Sequence, residues 1–262
     1  MSDKSFKWDA RLYQESSSFQ FNLGLMSIER LDPKDGELIL EIGSGNARVT
    51  IELGKKIPNG KITAVEISED QCEQAKINLE EYIISNIEIV CMNALEINYN
   101  NQFDAVFSNS AIHWIKNLEL MYELIYKSLK KDGRILIQTG LKKLTPIFIV
   151  IAKLARERKF REYLREFTNP WRFLSKKETE KLLEANNYKN ISIEIYDASM
   201  KFNTEEELFN YWKAAALVPF LTLLPKEMEE TFIKKFEDLY LLETEPNSLK
   251  VVLPRLFISA IK

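Results

Sequence analysis

Short apolar runs alternate with helix-like stretches through the first half of the chain. The runs cover residues 38–42, 61–67, 87–91, 103–108 and 134–138, and the helix-like stretches cover 49–56, 69–83 and 118–130. Continuously apolar strands that alternate with helices are typical of a parallel sheet covered on both faces. The pattern therefore predicts an α/β fold with a doubly wound, mostly parallel sheet.

The second half of the chain continues the sheet after a helical interruption. Residues 8–31 and 144–167 have helical spacing, and Ser175 with Glu178 forms a capping-box pattern at the start of another helix. Strands are predicted at 191–196 and 255–261, with an aromatic-rich helical insertion at 204–242. We expect one domain that carries an insertion before its last strand.

Composition excludes several classes of protein. The chain has 36 Lys and Arg against 39 Asp and Glu, so its net charge of -3 disfavours a nucleic-acid partner. Its longest apolar run, 147–152, is far shorter than the ~20 residues of a membrane span. One His and two distant Cys disfavour a metal site. Cys72 and Cys91 lie in apolar segments, and we expect both to be buried, reduced thiols of a cytoplasmic protein.

The loop after the first strand is the most informative motif. It begins inside the strand at Glu41 and runs through Gly43, Ser44 and Gly45, where glycine permits a tight turn and close approach of a ligand. Glu66 ends the second strand, where a carboxylate can accept hydrogen bonds from two ribose hydroxyls. This combination predicts a nucleoside site at the carboxyl ends of the strands.

The same loop narrows the choice of nucleoside. A dinucleotide fingerprint has a third glycine where this chain has Arg48, and a phosphate-binding loop would continue with Gly-Lys-Ser or Gly-Lys-Thr. Glu41 would repel a phosphate group. We therefore expect a ligand with a cation or an amino group near this carboxylate.

At these residues the sequence resembles class I S-adenosylmethionine-dependent methyltransferases. Their first motif, Asp/Glu-x-Gly-x-Gly-x-Gly, reads 41–47 here with Ala47 as its last member; Glu66 fits the acidic second motif, and Asn93 with Ala94 fits the third. Residues 103–109 and 129–137 resemble the fourth-strand and fifth-strand motifs. The resemblance implies a Rossmann-like seven-stranded sheet with an antiparallel last strand and S-adenosylmethionine as cofactor. It assigns the cofactor site to Tyr13, Glu41, Gly43, Ser44, Gly45, Glu66, Ile67, Asn93, Ala94 and Asn109.

A narrower resemblance involves residues that precede the first strand and residues that follow the fourth strand. The pattern from Trp8 through Tyr13 and Ser17 to Gln20, together with His113-Trp114, is similar to trans-aconitate and juvenile hormone acid methyltransferases. These enzymes methylate carboxylates of small organic acids. The likeness implies that Gln20 and Trp114 lie at the reacting centre, and His113, beside Trp114 at the carboxyl end of a strand, is a third catalytic candidate. It also implies a helical cap at 1–34, a cofactor-binding core at 35–140, connecting elements at 141–200, a helical lid at 201–250 and the last strand at 251–262.

The nature of the acceptor stays open at this point. A carboxylate has a pKa of ~4 and needs no general base, whereas a phenol would need one, for which His113 is the candidate. Gln20, His113 and Arg172 are the side chains that could hold an acceptor carboxylate. The aromatic residues of the insertion line the acceptor pocket or form the insertion's own core. The alternatives are a phenol, amine or thiol acceptor, or a non-catalytic nucleotide-binding Rossmann protein. We expect a small-molecule partner and a monomer or homodimer.

Overall fold

The computed structural model describes residues 18–165 and 167–262, and these fall into two compact units. The larger unit consists of Ser18–Lys142, Trp171–Tyr196 and Pro254–Lys262. The described part of the smaller unit consists of Lys143–Pro170, without residue 166, and Asp197–Leu253. The expectation of one domain with a helical lid stays a prediction.

The larger unit is organised around a seven-stranded sheet, as the sequence predicts. Its strand order is β3-β2-β1-β4-β5-β7-β6. The first five strands pair in parallel, and β7 is antiparallel to β5. The strands are β1 Leu38–Ile42, β2 Lys61–Glu66, β3 Ile87–Cys91, β4 Phe103–Asn109, β5 Leu129–Gly140, β6 Lys189–Lys201 and β7 Lys250–Ile261.

Helices connect the strands and begin where the sequence provides caps. The side chains of Ser68 and Asn117 accept hydrogen bonds from backbone N–H groups in the first turns of the helices that follow them. Ser175 and Glu178 form the predicted capping box at the start of another helix. None of the described helices is long and apolar enough to cross a membrane. The helices are α1 Ser18–Leu31, α2 Arg48–Lys56, α3 Glu69–Glu81, α4 Leu118–Ser128, α5 Pro146–Leu154, α6 Arg158–Leu164, α7 Lys176–Ala185, α8 Glu205–Trp212, α9 Val218–Leu221 and α10 Lys226–Glu243.

Alternate side chains of the central strands feed two separate cores. In β5, Ile135 and Ile137 pack into the core that includes α4 and α7, whereas Leu136 joins the core that includes α1 and α2. Both faces of the sheet are therefore covered, which explains why the central strands are continuously apolar.

The order of the strands reverses between β1 and β4. The chain passes from β1 to β2 and β3 on one side, and then returns to place β4 on the other side of β1. At such a switch point the connecting loops diverge and leave a crevice at the carboxyl ends of the strands. The Gly43–Gly45 loop and the segment after β4 both lie at this switch point.

The smaller unit corrects one prediction. The sequence suggests one continuous helix at 144–167, but the structure has two: α5 ends at Leu154 and α6 begins at Arg158. The buried stripe of α5 runs through Ile147, Val150, Ile151 and Leu154, but the next positions in phase, 158 and 161, are arginines. The break lets Phe160 turn inward, where its ring lies 5.1 Å from that of Phe232 in α10.

The aromatic residues of the insertion form a core of their own. Phe209, Trp212 and Phe220 are all buried. The Trp212 ring lies 5.6 Å from that of Tyr240, and Phe220 stacks on Phe167 at 4.2 Å. Packing within the smaller unit thus accounts for their burial, in line with one of the two expectations stated for them.

The prediction for the two cysteines is half right. Cys72 is buried, but Cys91 at the end of β3 is exposed. Residues that end a strand at the edge of a crevice lose the cover that neighbouring elements give to the strand interior. Both cysteines are free thiols.

Candidate active site at the carboxyl edge of the sheet

Backbone conformation at the glycine-rich loop requires residues that tolerate positive φ. Gly43, Gly45 and Ala47 have φ values of 75°, 55° and 62°. Ala47 stands at the start of α2, so the position that carries glycine in the first motif is left-handed here as well. Alanine in this conformation costs roughly 1–2 kcal/mol relative to glycine, which the surrounding fold sustains.

The loop is fixed to the end of β2. The N–H groups of Gly43 and Ser44 donate to the Val65 carbonyl at 2.8 and 3.3 Å. A Cβ added to Gly43 would lie 2.2 Å from the Cβ of Ala111, which follows β4. The loops after β1 and β4 therefore touch at the switch point, and only glycine fits between them.

Glu66 has the position predicted for it. Its carboxylate accepts the N–H of Gly45 at 2.9 Å through one oxygen and the N–H groups of Ile67 and Ser68 at 3.0 Å through the other. A carboxylate has about four acceptor sites, so further capacity is left for a bound hydroxyl. The neighbouring Ile67 side chain is 62% exposed and offers an apolar surface beside this carboxylate.

Glu41 is buried beneath the loop and is only 1% exposed. Its Oε2 has no hydrogen-bond partner among the described residues, and neither has the nearby Thr50 hydroxyl. Burial raises the pKa of Glu41 to about 7; the dipole of Thr50 opposes this shift and the charge of Glu66 adds to it. A buried carboxyl with an unused oxygen favours a cationic ligand group at this point.

Asn93 begins a short 3₁₀ turn, Ala94–Glu96, directly after β3. Its Oδ1 accepts the N–H of Leu95 at 3.0 Å, so the side chain is held in one orientation. Together with Ala94 it lies at the same edge of the sheet as Glu66, because β2 and β3 are neighbouring parallel strands. The structure thus brings the second and third motifs together.

Asn109 ends β4 and connects the sheet to α1. Its Nδ2 donates to the backbone carbonyl of Gln20 at 3.1 Å. The side-chain Oε1 of Gln20 is buried and has no partner among the described residues. Ser44 in the loop likewise keeps a buried hydroxyl without a hydrogen bond in the described structure. Tyr13 and the motif residues from Trp8 to Ser17 lie outside the described residues.

His113 is enclosed by aromatic rings in the short turn Ile112–Trp114. Its ring centroid lies 5.0 Å from that of Phe173, and its Nδ1 lies 3.1 Å from the Thr139 hydroxyl. Burial lowers the pKa of His113 to about 3, and the positive charge of Arg255 lowers it further. The imidazole is therefore neutral at physiological pH and a weak base.

Trp114 stands beside this histidine and is half-buried. Its ring meets that of Trp171 at 5.6 Å in an edge-on arrangement. Arg172 lies between Trp171 and Phe173 in the sequence, but its side chain is bound by a residue of α4. Both of its terminal nitrogens bond the carboxylate of Glu119, at 2.6 and 2.5 Å. The Arg172 side chain is thereby committed to an ion pair at the surface.

Three residues of this edge were not singled out from the sequence. Gln138 in β5, Thr139 beside it and Arg255 at the start of the paired part of β7 all lie at the carboxyl edge. A polar residue that follows the apolar run Ile135–Ile137 was the available signal for Gln138. No local pattern marks Arg255, because it reaches the edge only through the antiparallel pairing of the last strand.

Comparison with known proteins gives a consistent result. A family model described as a methyltransferase domain matches residues 33–187. A solved structure, the YcgJ protein from Bacillus subtilis, has a TM-score of 0.66 with 17% identity and covers 92% of this chain and 97% of its own. At this identity the likeness shows the fold alone.

Two curated relatives carry more specific names. The malonyl-[acyl-carrier protein] O-methyltransferase of Priestia megaterium is 31% identical over 139 residues, which are 52% of this chain and 50% of that protein. The chain thus spans about half the length of the malonyl-[acyl-carrier protein] relatives that it matches. The juvenile hormone acid O-methyltransferase of Bombyx mori is 26% identical over 247 residues, with 88% of this chain and 85% of that protein covered.

Proposed function

The chain belongs to the methyltransferase-domain family that matches residues 33–187, and from this premise we propose that it transfers a methyl group from S-adenosylmethionine to a small molecule. The acceptor is a carboxylic acid, which becomes a methyl ester. The observation that carries the proposal is the pair of carboxyl groups on either side of the glycine-rich loop, Glu41 and Glu66.

The residues of the crevice fit the donor group by group. Glu66, with spare acceptor sites, suits the ribose hydroxyls, and the exposed Ile67 suits the face of the adenine ring. Asn93 and Ala94 suit the adenine edge. The Oε2 of Glu41, which has no hydrogen-bond partner in the described part of the chain, suits the amino group of the methionine part, because a cation there would satisfy the buried carboxyl. When bound, the donor supplies a methyl group activated by the neighbouring sulfonium.

The chain's own residues favour an acceptor that is already ionised. His113, with a pKa of about 3, cannot take a proton from a phenol efficiently near pH 7. A carboxylate is already ionised and needs no base, so its methylation is compatible with a neutral His113 imidazole that is hydrogen-bonded to Thr139. Gln20 and Trp114 orient the acceptor, and positioning of this kind supplies a large part of the rate. We further infer a cytoplasmic protein, since its two cysteines are distant in sequence but interact in the fold, and both are free thiols.

The first experiment measures donor binding with S-adenosylhomocysteine by calorimetry. Glu66→Gln keeps the shape of the side chain but removes one acceptor oxygen, and we expect affinity to fall roughly 10- to 100-fold, as for lost hydrogen bonds to a charged group. Nicotinamide dinucleotide serves as the control ligand and should not bind. Unchanged affinity for S-adenosylhomocysteine in Glu66→Gln would refute the assignment of the donor site.

The second experiment identifies the acceptor class. Fatty, isoprenoid and tricarboxylic acids are screened for methyl transfer beside phenols, amines and thiols. We expect turnover with acids. Turnover of phenols or amines with none on any acid would exclude the carboxylate while the methyltransferase function stands.

A further inference from the structure

The side chain of Gln138 is fully buried. Its amide oxygen is hydrogen-bonded, whereas its amide nitrogen has no partner among the described residues. Its Oε1 accepts the N–H of Ser110 at 3.1 Å and the hydroxyl of Ser110 at 2.7 Å. The Ser110 N–H, which Oε1 shares with the Gln138 backbone carbonyl at 3.0 Å, can only donate, so the oxygen of the amide faces it and Nε2 faces the other way. Nε2 is buried and has no acceptor among the described residues.

This orphaned donor lies on the α1 side of the sheet. Side chains alternate along a strand, so Gln138 shares its face with Leu136, which packs in the core that includes α1. Gln138 and Asn109 are register partners in β5 and β4, and Asn109 bonds the Gln20 backbone. Gln138, Asn109 and the Gln20 backbone thus form one polar patch beneath α1, and two side-chain groups of these residues, Gln138 Nε2 and Gln20 Oε1, are buried without a partner among the described residues.

A positive charge stands at the same edge. Arg255 is the register partner of Gly140, two residues beyond Gln138 in β5. Its guanidinium lies 5.5 Å from the ring centroid of Phe19 in α1, and a Cβ on Gly140 would lie 3.2 Å from one of its nitrogens. The patch therefore combines an amide donor with a cation close by.

We propose that Gln138 is a specificity-determining residue that donates its Nε2–H to the carboxylate of the methyl acceptor, with Arg255 providing the positive field. The site thereby prefers an ionised acid to the corresponding amide. This inference rests on the proposed function and adds to it a residue that distinguishes acceptors. A role confined to holding Ser110 would explain Oε1 but would leave a buried N–H without a partner, which proteins rarely accept.

The test uses the full chain saturated with S-adenosylhomocysteine. Octanoate, benzoate, geranate and citrate are titrated by calorimetry, with octanamide and benzamide as neutral counterparts. We expect at least one acid to bind, with octanoate or benzoate bound roughly tenfold or more tightly than its amide, as for a hydrogen bond to a charged group. Gln138→Glu retains both bonds from Ser110 but replaces the donor by an acceptor, so acid affinity should fall at least as much.

Matched variants separate recognition from folding. Ser110→Ala removes one bond to Oε1 but leaves Nε2 in place, so the preference for acid over amide should persist. Gln138→Met removes the donor without a buried charge and serves if Gln138→Glu does not fold. Affinity for S-adenosylhomocysteine should be unchanged in all three.

The outcomes discriminate between the two proposals. Failure of the unmodified chain to bind S-adenosylhomocysteine overturns the proposed function itself. If that ligand binds, the inference about Gln138 is overturned when no acid binds, when the amides bind as tightly, or when the Gln138 variants keep their acid affinity.

Discussion

Replacing Glu41 by glutamine removes the carboxyl group that is buried beneath the glycine-rich loop. The side chain is 1% exposed, and burial is the main reason why its pKa rises from 4.5 to about 7. In the unfolded chain the same group has a pKa near its ordinary value of about 4.3. Glutamine has nearly the same shape and cannot ionise, so the substitution isolates the effect of the proton.

The sign follows from proton binding in the two states. Between pH 4.5 and 7 the folded protein holds a proton on Glu41 that the unfolded chain has released, so the free energy of unfolding falls as pH rises through this window. A difference of two to three pKa units at 1.36 kcal/mol each gives a loss of about 3 kcal/mol above pH 7. Below pH 4.5 the group is protonated in both states and this penalty is absent.

Urea unfolding from pH 5 to 8.5 measures the effect. The quantity to follow is the difference in unfolding free energy between Glu41→Gln and the unmodified chain, which we expect to rise by about 2–3 kcal/mol across this range. His113 has a lowered pKa and contributes the opposite slope below pH 6.5, but it is present in both proteins and cancels. Glu73→Gln, which removes an exposed carboxylate from α3, controls for the loss of one charge.

A flat difference between Glu41→Gln and the unmodified chain would refute the reasoning. It would mean that Glu41 has the same pKa in the folded and unfolded states, through water or a partner that stabilises its charge. The unused Oε2 would then be no reason to place a cationic ligand group beside it.

Two further predictions concern the glycine-rich loop and His113. Gly43→Ala and Gly36→Ala both place a side chain at positive φ, but only the new Cβ at position 43 meets a neighbour, at 2.2 Å from the Ala111 Cβ. In urea unfolding we expect Gly36→Ala to lower the free energy of unfolding by about 1–2 kcal/mol and Gly43→Ala to lower it clearly more, and adding Ala111→Gly to Gly43→Ala should recover part of the excess. Equal losses for the two glycine variants would contradict the contact. Because the chain has one histidine, its imidazole NMR signals need no assignment; we expect no protonation of His113 above pH 4, and a midpoint near 6.5 would disprove the buried, neutral imidazole.

The strands, and the meeting of the glycine motif with Glu66 at one edge of the sheet, could be predicted because local patterns carry them; the donor site itself stays a prediction. The apolar runs at 38–42 and 87–91 match β1 and β3 to the residue, and the glycine motif with Glu66 lies where parallel strands bring it. Strand ends were missed where charged residues extend them, as at Lys189 and Lys250, since hydrogen bonding to a neighbouring strand does not require an apolar side chain.

The acceptor side was harder to predict because it depends on contacts that are remote in sequence. Arg172 was an expected candidate, yet Glu119 in α4 holds its guanidinium at the surface. Arg255 reaches the edge only through the pairing of β7 with β5. The prediction of one long helix at 144–167 was wrong because the apolar positions before and after the break do not lie on one helix face.

The unequal cysteines at the crevice offer a reporter that requires no mutagenesis. Burial raises the pKa of the Cys72 thiol to about 12, whereas Cys91 is exposed. The thiolate is the reactive form, so an alkylating fluorophore at neutral pH would attach to Cys91. Cys91 is the register partner of Glu66. A dye at this position would sit beside the ribose contact and could follow donor arrival in real time.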